Sequence, residues 1–182
     1  MDTNILVAYA TRTGSSEEVA RSLAEALRSH GLPVDLRRAA DVHSIDQFTA
    51  VAICAALYAG RLHKDVRRFL SEHRAVLAKI PVALFVLGPV HSDEKEWAGA
   101  RQQLEKELKR FPWLSPVLQE IVGGKFDPAR LGFPFNVLPA LRKMPASDVR
   151  DWKLIQRLLN EMAVHLKSVG TTCESEGVDS RS

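Results

Sequence analysis

The chain has 182 residues, of which 46% are hydrophobic and 26% are charged, and its formal net charge is +3. This length suits one α/β domain with a sizeable core, and the composition is that of an ordinary globular protein. Cys54 and Cys173 lie in dissimilar surroundings, so neither a disulfide nor a metal site is expected. The mild positive charge, without an aromatic-studded strand or a helix-turn-helix pattern, argues against a nucleic-acid partner.

Short apolar runs alternate with longer amphipathic ones, which predicts strands and helices in turn. At the first helix, Ser15 and Glu18 suggest a capping box, and Gly31 followed by Pro33 indicates the end. The predicted elements are, in chain order, a strand at Ile5 to Tyr9, a helix through Val19, Leu23 and Leu27, strands at Val34 to Arg38 and Ala50 to Ala55, a helix from Val66 to Leu77, a strand at Val82 to Leu87, a helix from Trp97 to Phe111, a strand at Val117 to Val122 and a helix from Trp152 to Leu166.

This alternation implies right-handed βαβ crossovers and therefore a parallel sheet. Five strands and four helices suit an α/β fold with a doubly wound five-stranded parallel sheet of order 2-1-3-4-5 and helices on both faces. We expect a single domain over 1–170, followed by a disordered tail over 171–182 because that tail is almost entirely polar.

The N-terminus carries no recognisable export signal. Met1 to Asn4 lead directly into the first apolar run, with no basic region and no cleavage site. No apolar run approaches the about 20 residues that cross a bilayer. We therefore expect a cytoplasmic protein, in which any membrane contact is peripheral and on the inner face.

One connection is too long for an ordinary βα loop: the insert from Gly123 to Asp148, between the fifth strand and the last helix. A solvated loop would not be as apolar as this one, so the insert must pack on the domain, a partner, a ligand or a membrane surface. The insert contains four prolines, three phenylalanines and four basic residues, which are Pro128, Pro134, Pro139, Pro145, Phe126, Phe133, Phe135, Lys125, Arg130, Arg142 and Lys143.

The turn after the first strand has the composition of a phosphate site. It contains the hydroxyls of Thr11, Thr13, Ser15 and Ser16 around Gly14, which permits a close turn of the backbone. The helix that follows offers unpaired N–H groups and a positive dipole end. A phosphate monoester is therefore favoured over the alternative, a Ser/Thr-rich helix cap. The chain has neither a GxGxxG nor a GxxxxGK[ST] motif, so other common phosphate loops are excluded.

The segment from Tyr9 to Ala20 resembles the FMN-phosphate signature of flavodoxins, Thr/Ser-x-Thr-Gly-x-Thr/Ser after the first strand. Ser16 stands where threonine is usual and retains the hydroxyl. The resemblance extends to about Leu166 and implies a flavodoxin-like fold with non-covalently bound FMN at the switch point of the sheet, the arrangement for which flavodoxins are the standard example. The implied phosphate-binding residues are Thr11, Arg12, Thr13, Gly14, Ser15 and Ser16.

The resemblance also implies that the loops after the third and fourth strands enclose the flavin ring. Tyr58 is expected to stack on the ring, with a packing role as the alternative. Gly60 is expected near the flavin N5, where it permits a peptide reorientation or simply makes a turn. No catalytic acid or base is assigned, and neither His63 nor His91 is expected to be one. The implied flavin-binding residues are Ala56, Leu57, Tyr58, Ala59, Gly60, Gly88, Pro89, Val90 and His91.

Within the flavodoxin superfamily, the chain is most similar to the quinone-dependent protoporphyrinogen dehydrogenases of bacterial haem synthesis. The similarity rests on the length, the stretch from Leu57 to Val66, the part of the insert from Gly123 to Lys143, and Asp151-Trp152, although the insert has fewer aromatic residues than that family. It implies an FMN enzyme that takes electrons from a porphyrinogen and passes them to a quinone, with peripheral membrane contact through the insert. The alternatives are a flavodoxin-type shuttle that docks on a redox protein, a cofactor-free module, and an insert that forms a homodimer interface.

Overall fold

The computed structural model describes residues 3–130, 145–158 and 160–162. The secondary structure begins at Ile5, and the last described helix, α5, covers 152–158 and 160–162. The other elements are β1 (Ile5–Ala10), α1 (Ser15–Ser29), β2 (Val34–Arg38), a 3₁₀ turn (Ala39–Asp41), β3 (Ala50–Tyr58), β4 (Arg61–Leu62), α2 (Lys64–Glu72), α3 (Arg74–Leu77), β5 (Val82–Leu87), α4 (Glu94–Leu108), β6 (Leu118–Ile121), β7 (Lys125–Phe126), a 3₁₀ turn (Pro128–Arg130) and β8 (Ser147–Asp148).

The main sheet has the strand order β2-β1-β3-β5-β6, and all four of these pairings are parallel. Since β5 and β6 are the fourth and fifth parallel strands, the predicted order 2-1-3-4-5 is confirmed. Ile5 of β1 lies opposite both Val34 and Ala50, so the first strand has a full partner on each side. The short β4 pairs antiparallel with the end of β3 and lies off this path.

Two apolar cores cover the two faces of the sheet, which confirms the predicted helices on both sides. On one face, Leu23 of α1 and Ile155 of α5 pack against β1, β3 and β5. On the other, Phe69 of α2, Leu77 of α3 and Leu104 of α4 pack against the alternate residues of the same strands. β1 and β5 are buried along their whole length, as is typical of continuous apolar strands inside a parallel sheet.

The start of α1 differs from the predicted capping box. Gly14, with φ 94° and ψ −15°, is the N-cap, and no side chain caps the helix. The left-handed turn at Gly14 makes Ser15 the first helical residue. Its Oγ lies 3.4 Å from Thr13 Oγ1 and donates to the Lys125 carbonyl at 3.4 Å, so it is directed outward from the helix end. The end of the helix is as predicted, since Gly31 follows it with φ 78°.

Two other elements differ from their predicted bounds. The helix predicted from Val66 to Leu77 is divided at His73, whose φ of −102° and ψ of 18° interrupt the helical backbone. The His73 ring packs on Phe69 with a centroid separation of 4.8 Å. The third strand continues beyond Ala55 to Tyr58, because β4 supplies it with a new hydrogen-bonding partner.

The stem of the insert is the pair of short strands β7 and β8. Lys125 lies opposite Asp148 and Phe126 opposite Ser147, so the insert leaves and rejoins the domain at one place. The tail over 171–182 and residues 131–144 of the insert lie outside the described residues, as does the predicted domain boundary near 170. No helix within the described ranges is long and apolar enough to cross a bilayer.

Gly123, immediately before the stem, should be essential to stability for a steric reason. Its φ is 76°, and a Cβ there would meet the Val149 carbonyl oxygen and lie 2.9 Å from its carbon. Gly31 has a similar φ of 78° with nothing within 4 Å of such a Cβ. Alanine at either position incurs the left-handed backbone penalty of about 1–2 kcal/mol, and Gly123→Ala adds overpacking of about 1–3 kcal/mol.

The measurement is urea unfolding of Gly123→Ala with Gly31→Ala as the matched control. We expect the free energy of unfolding to fall substantially more for Gly123→Ala. Equal losses at the two positions would contradict the described contact between Gly123 and Val149.

Candidate functional site

The loops that follow β1, β3 and β5 lie together at one edge of the sheet. They share this edge because the three strands are parallel neighbours, so their carboxyl ends coincide. Ala10 at the end of β1 is aligned with Ala55, and Ala56 is aligned with Leu87. A crevice outside the carboxyl ends, where adjacent crossovers lead to opposite faces, is the usual binding place in such sheets.

The first loop, from Thr11 to Gly14, is a tight turn that is closed by a hydrogen bond of its own. The Gly14 N–H donates to Thr11 Oγ1 at 2.8 Å, which fixes the turn. The first helical hydrogen bond of α1 runs from Glu18 N to Gly14 O at 3.0 Å. Helix geometry therefore leaves the amides of Ser15, Ser16 and Glu17 without intrahelical acceptors, and these three groups can bind an anion.

Ser16 supplies the sharpest sign that this loop is built for a ligand. Its side chain is fully buried, and its Oγ has no hydrogen-bond partner among the described residues. A buried hydroxyl without a partner costs free energy, about 1–3 kcal/mol. An acceptor bound in the turn would relieve that cost, and the residues present therefore fit a phosphate group.

The second loop is a β-hairpin that presents Tyr58. Tyr58 pairs with Arg61 across a two-residue turn, in which Ala59 and Gly60 both have positive φ, 47° and 75°. Two positive φ values are typical of a type I′ turn, which matches the twist of the flanking strands. The predicted loop from Ala56 to Gly60 is therefore largely strand, and its only turn residues are Ala59 and Gly60.

Tyr58 also joins the second loop to the first. The Arg12 guanidinium lies 4.8 Å from the centroid of the Tyr58 ring, and the His63 ring lies 6.3 Å from it, edge-on. Burial raises the pKa of Tyr58, while hydrogen bonds from the Arg12 backbone and the Thr13 side chain oppose that shift. One ring face therefore carries a cation here, and stacking of Tyr58 on a flavin stays a prediction.

The third loop, from Gly88 to His91, is held by two residues of α4 that the sequence analysis did not assign to the site. The Val90 N–H donates to Glu96 Oε1 at 2.8 Å, and His91 Nδ1 lies 3.1 Å from Glu96 Oε2. Trp97 Nε1 donates to the His91 carbonyl at 3.1 Å. Pro89 is buried, so the loop is fixed both by its own packing and by the first turn of α4.

A cluster of four charged residues joins the first turn of α1 to the stem of the insert. Arg150 Nη1 donates to Glu18 Oε2 at 2.7 Å, and its Nε donates to Asp148 Oδ1 at 2.8 Å. Lys125 Nζ lies 3.3 Å from both oxygens of Glu18. Sequence reasoning missed this cluster because Lys125 was counted only as a basic residue of the insert and Arg150 was not considered.

A family model described as a flavodoxin domain matches residues 6–135, which includes all three loops. The chain belongs to the flavodoxin family. Membership of this family implies a flavin cofactor and a role in redox chemistry, as an oxidoreductase or an electron carrier.

Among curated proteins, this flavodoxin-family chain is similar to the protoporphyrinogen IX dehydrogenase [quinone] of Escherichia coli strain K12. The two are 24% identical over 172 residues, which cover 87% of this chain and 93% of that protein. The similarity therefore extends over most of both chains and is not confined to the three loops.

Solved structures agree on the fold. An archaeal flavodoxin matches with a TM-score of 0.58 and 11% identity, covering 91% of this chain and 99% of that one. A cysteine-to-alanine variant of the Pseudomonas aeruginosa flavodoxin matches with a TM-score of 0.54, 19% identity and the same coverage. The rubredoxin oxygen:oxidoreductase of Desulfovibrio gigas matches 91% of this chain with a TM-score of 0.59 and 18% identity, but the chain spans only 36% of its length.

His63, beside Tyr58, should make stability depend on pH. Burial lowers its pKa, while the Asp65 carboxylate, 3.5 Å from Nδ1, opposes that shift. The unprotonated Nδ1 accepts from the Asp65 N–H at 3.3 Å and caps α2. The folded state therefore binds this proton less well than the unfolded state, and the stability from neutral His63 is lost as the pH falls below about 6.5.

His63→Asn keeps a capping acceptor but does not titrate. We expect the loss of unfolding free energy between pH 7.5 and pH 5.5, measured by urea unfolding without flavin, to be smaller in this variant. An unchanged difference between the two pH values would show that His63 does not contribute.

Proposed function

We propose that this protein binds FMN non-covalently and uses it as an oxidoreductase. The observation that carries the proposal is the fully buried Ser16 hydroxyl, which lacks a partner within the described ranges and lies in the first turn of α1 beside Gly14. A phosphate monoester supplies the missing acceptor, and it also suits the three free amides of that turn. A flavin without phosphate would leave these groups unused.

The residues divide between the two ends of the cofactor. The side chains of Thr11, Thr13, Ser15 and Ser16, with the amides of the α1 terminus, would hold the phosphate. The hairpin at Tyr58 and the loop at Val90 would flank the ring, which when bound supplies reversible electron transfer. The protein would contribute the rest, namely the fixed position of the ring and the exclusion of water from it. We propose flavin contacts for the remaining residues of these loops, Arg12, Gly14, Ala56, Leu57, Ala59, Gly60, Gly88, Pro89 and His91.

For the substrate, we favour a porphyrinogen as electron donor and a quinone as acceptor. The E. coli relative of similar length carries that activity in its name. The composition of the insert supports the same choice, because apolar and cationic residues together suit a large ring with carboxylates or an anionic membrane surface. We therefore place the protein in the cytoplasm with peripheral membrane contact through the insert, and without a nucleic-acid partner.

An electron-transfer protein is the second candidate. The solved flavodoxins that match nearly their whole length to this chain favour it. The net charge of +3 weighs against it, because flavodoxins that dock on basic redox partners are typically acidic. A purified protein that reduces quinone with porphyrinogen would support the enzyme, and one that only exchanges electrons with a redox protein would support the carrier. A colourless protein that takes up no flavin would support a cofactor-free module.

The phosphate should dominate cofactor affinity. We expect FMN to bind far more tightly than riboflavin, and Ser16→Ala to weaken FMN binding by about 1.5–3 kcal/mol, the scale of a hydrogen bond to a charged group. Without flavin, the same variant should be at least as stable as the unmodified protein, because it removes a buried hydroxyl that has no described partner. Quenching of flavin fluorescence gives the affinities.

Ser29→Ala is the matched control, since it removes an exposed serine hydroxyl from the other end of α1. It should leave both flavin affinities unchanged. Equal dissociation constants for FMN and riboflavin in the unmodified protein would contradict the phosphate assignment.

The insert should carry substrate specificity. Replacing residues 127–146 by a short Gly/Ser linker retains the stem at Lys125 and Asp148 while removing the apolar and basic segment. We expect FMN binding and oligomeric state to be unchanged, and porphyrinogen oxidation or liposome binding to be lost. A deletion that converts a dimer into an active monomer would instead make the insert an assembly element.

A further inference from the structure

The first turn of α1 contains two carboxylates, Glu17 and Glu18, close to the amides that would receive a phosphate dianion. When nothing is bound, a negative side chain in this position is stabilised by the helix dipole. It opposes a second anion, because like charges in a partly solvated site repel over several ångströms. A phosphate site here therefore needs its carboxylates neutralised.

The structure meets this need with contacts that reach α1 from Lys125 of the stem and from Arg150, two residues after it. Partial burial alone would raise the pKa of Glu18. Hydrogen bonds and charge from Arg150, and then from Lys125, outweigh this effect, so that the pKa of Glu18 is lowered. Both of its oxygens are thereby paired with cations, at 2.7 Å to Arg150 Nη1 and 3.3 Å to Lys125 Nζ. Glu17 is paired separately, with Arg21 at 2.8 Å along the same helix.

Arg150 is fixed more firmly than a surface cation. Its side chain is only 3% exposed, it binds both oxygens of Asp148, and its guanidinium lies 4.8 Å from the centroid of the Trp152 ring. Lys125 is a second link, since its carbonyl accepts from Ser15 Oγ at 3.4 Å. The stem is thus connected both to the carboxylate and to a hydroxyl of the phosphate turn.

We propose that Arg150 and Lys125 are positioning residues for the FMN phosphate. They hold and neutralise Glu18, so that the first turn of α1 can accept a dianion. This inference rests on the proposed binding of FMN. It assigns to the stem of the insert a role in cofactor affinity, distinct from substrate specificity. The two cations act through Glu18, so the effect of removing them depends on whether that carboxylate is present.

The test is a double-mutant cycle with Arg150→Gln and Glu18→Gln, titrated with FMN and with riboflavin. Arg150→Gln should raise the dissociation constant of FMN on the order of tenfold, because it exposes the phosphate to a negative charge in a partly solvated site. The constant for riboflavin, which has no phosphate, should stay within about twofold. The double variant should recover FMN affinity, since the repelling carboxylate is gone.

Arg157→Gln is the control for lost positive charge, because it removes the cation of an exposed pair with Glu161 on α5. It should leave both dissociation constants unchanged. If Arg150→Gln does not fold, Lys125→Gln replaces it, since this side chain is 26% exposed and less embedded. We then expect the same pattern, with a smaller loss of FMN affinity that Glu18→Gln reverses.

Two results would overturn the inference while leaving the proposed function intact. One is an equal loss of FMN and riboflavin affinity, and the other is a double variant that binds FMN as weakly as the single one. Either would mean that the cluster only supports the fold. Unmodified protein that binds neither flavin would overturn the proposed function, and this inference with it.

Discussion

The constraint on which the rest of the structure depends is the complete burial of β1 between two parallel neighbours. All six of its residues are buried, and each of the first five has a partner in both β2 and β3. Because β1 has a parallel neighbour on each side, the chain leaves it at the carboxyl edge and crosses to one face as α1, while β3 leads to α2 on the other. The crevice between these crossovers follows from strand order alone, and the polar turn after β1 lies at the same edge of the sheet.

The insert is attached to this crevice by its stem. Besides the contacts with α1, the stem is preceded by Gly124, whose N–H donates to the Pro89 carbonyl at 2.7 Å. A Cβ on Gly124 would lie 2.8 Å from the Gly88 carbonyl oxygen, so only glycine permits this approach. The stem and the glycine before it are therefore in contact with the start of α1 and with the loop after β5.

The sequence predicts the strands best where a proline immediately precedes them. The predicted bounds of β2 and β5, which follow Pro33 and Pro81, agree with the structure to the residue. Features that depend on a tertiary partner were missed, such as the extension of β3 to Tyr58 by pairing with β4. The turn proposed to bind phosphate stands out in the sequence because its hydroxyl groups and glycine are contiguous. The charged cluster could not, since its partners are remote in sequence and each looks like an ordinary surface residue by itself.

That remoteness has a consequence for the order of events in folding. Glu18 and Arg150 are separated by 132 positions, and Glu18 and Lys125 by 107. Contacts between residues this far apart in the sequence form only after the entropic cost of closing a long loop has been overcome. The turn and helix around Gly14, by contrast, depend on local contacts. During synthesis from the N-terminus, the turn proposed to bind phosphate can take shape early, but Lys125 and Arg150 are added only with roughly the last third of the chain. On the proposed function, full affinity for FMN is thus acquired late, when nearly the whole domain is already assembled.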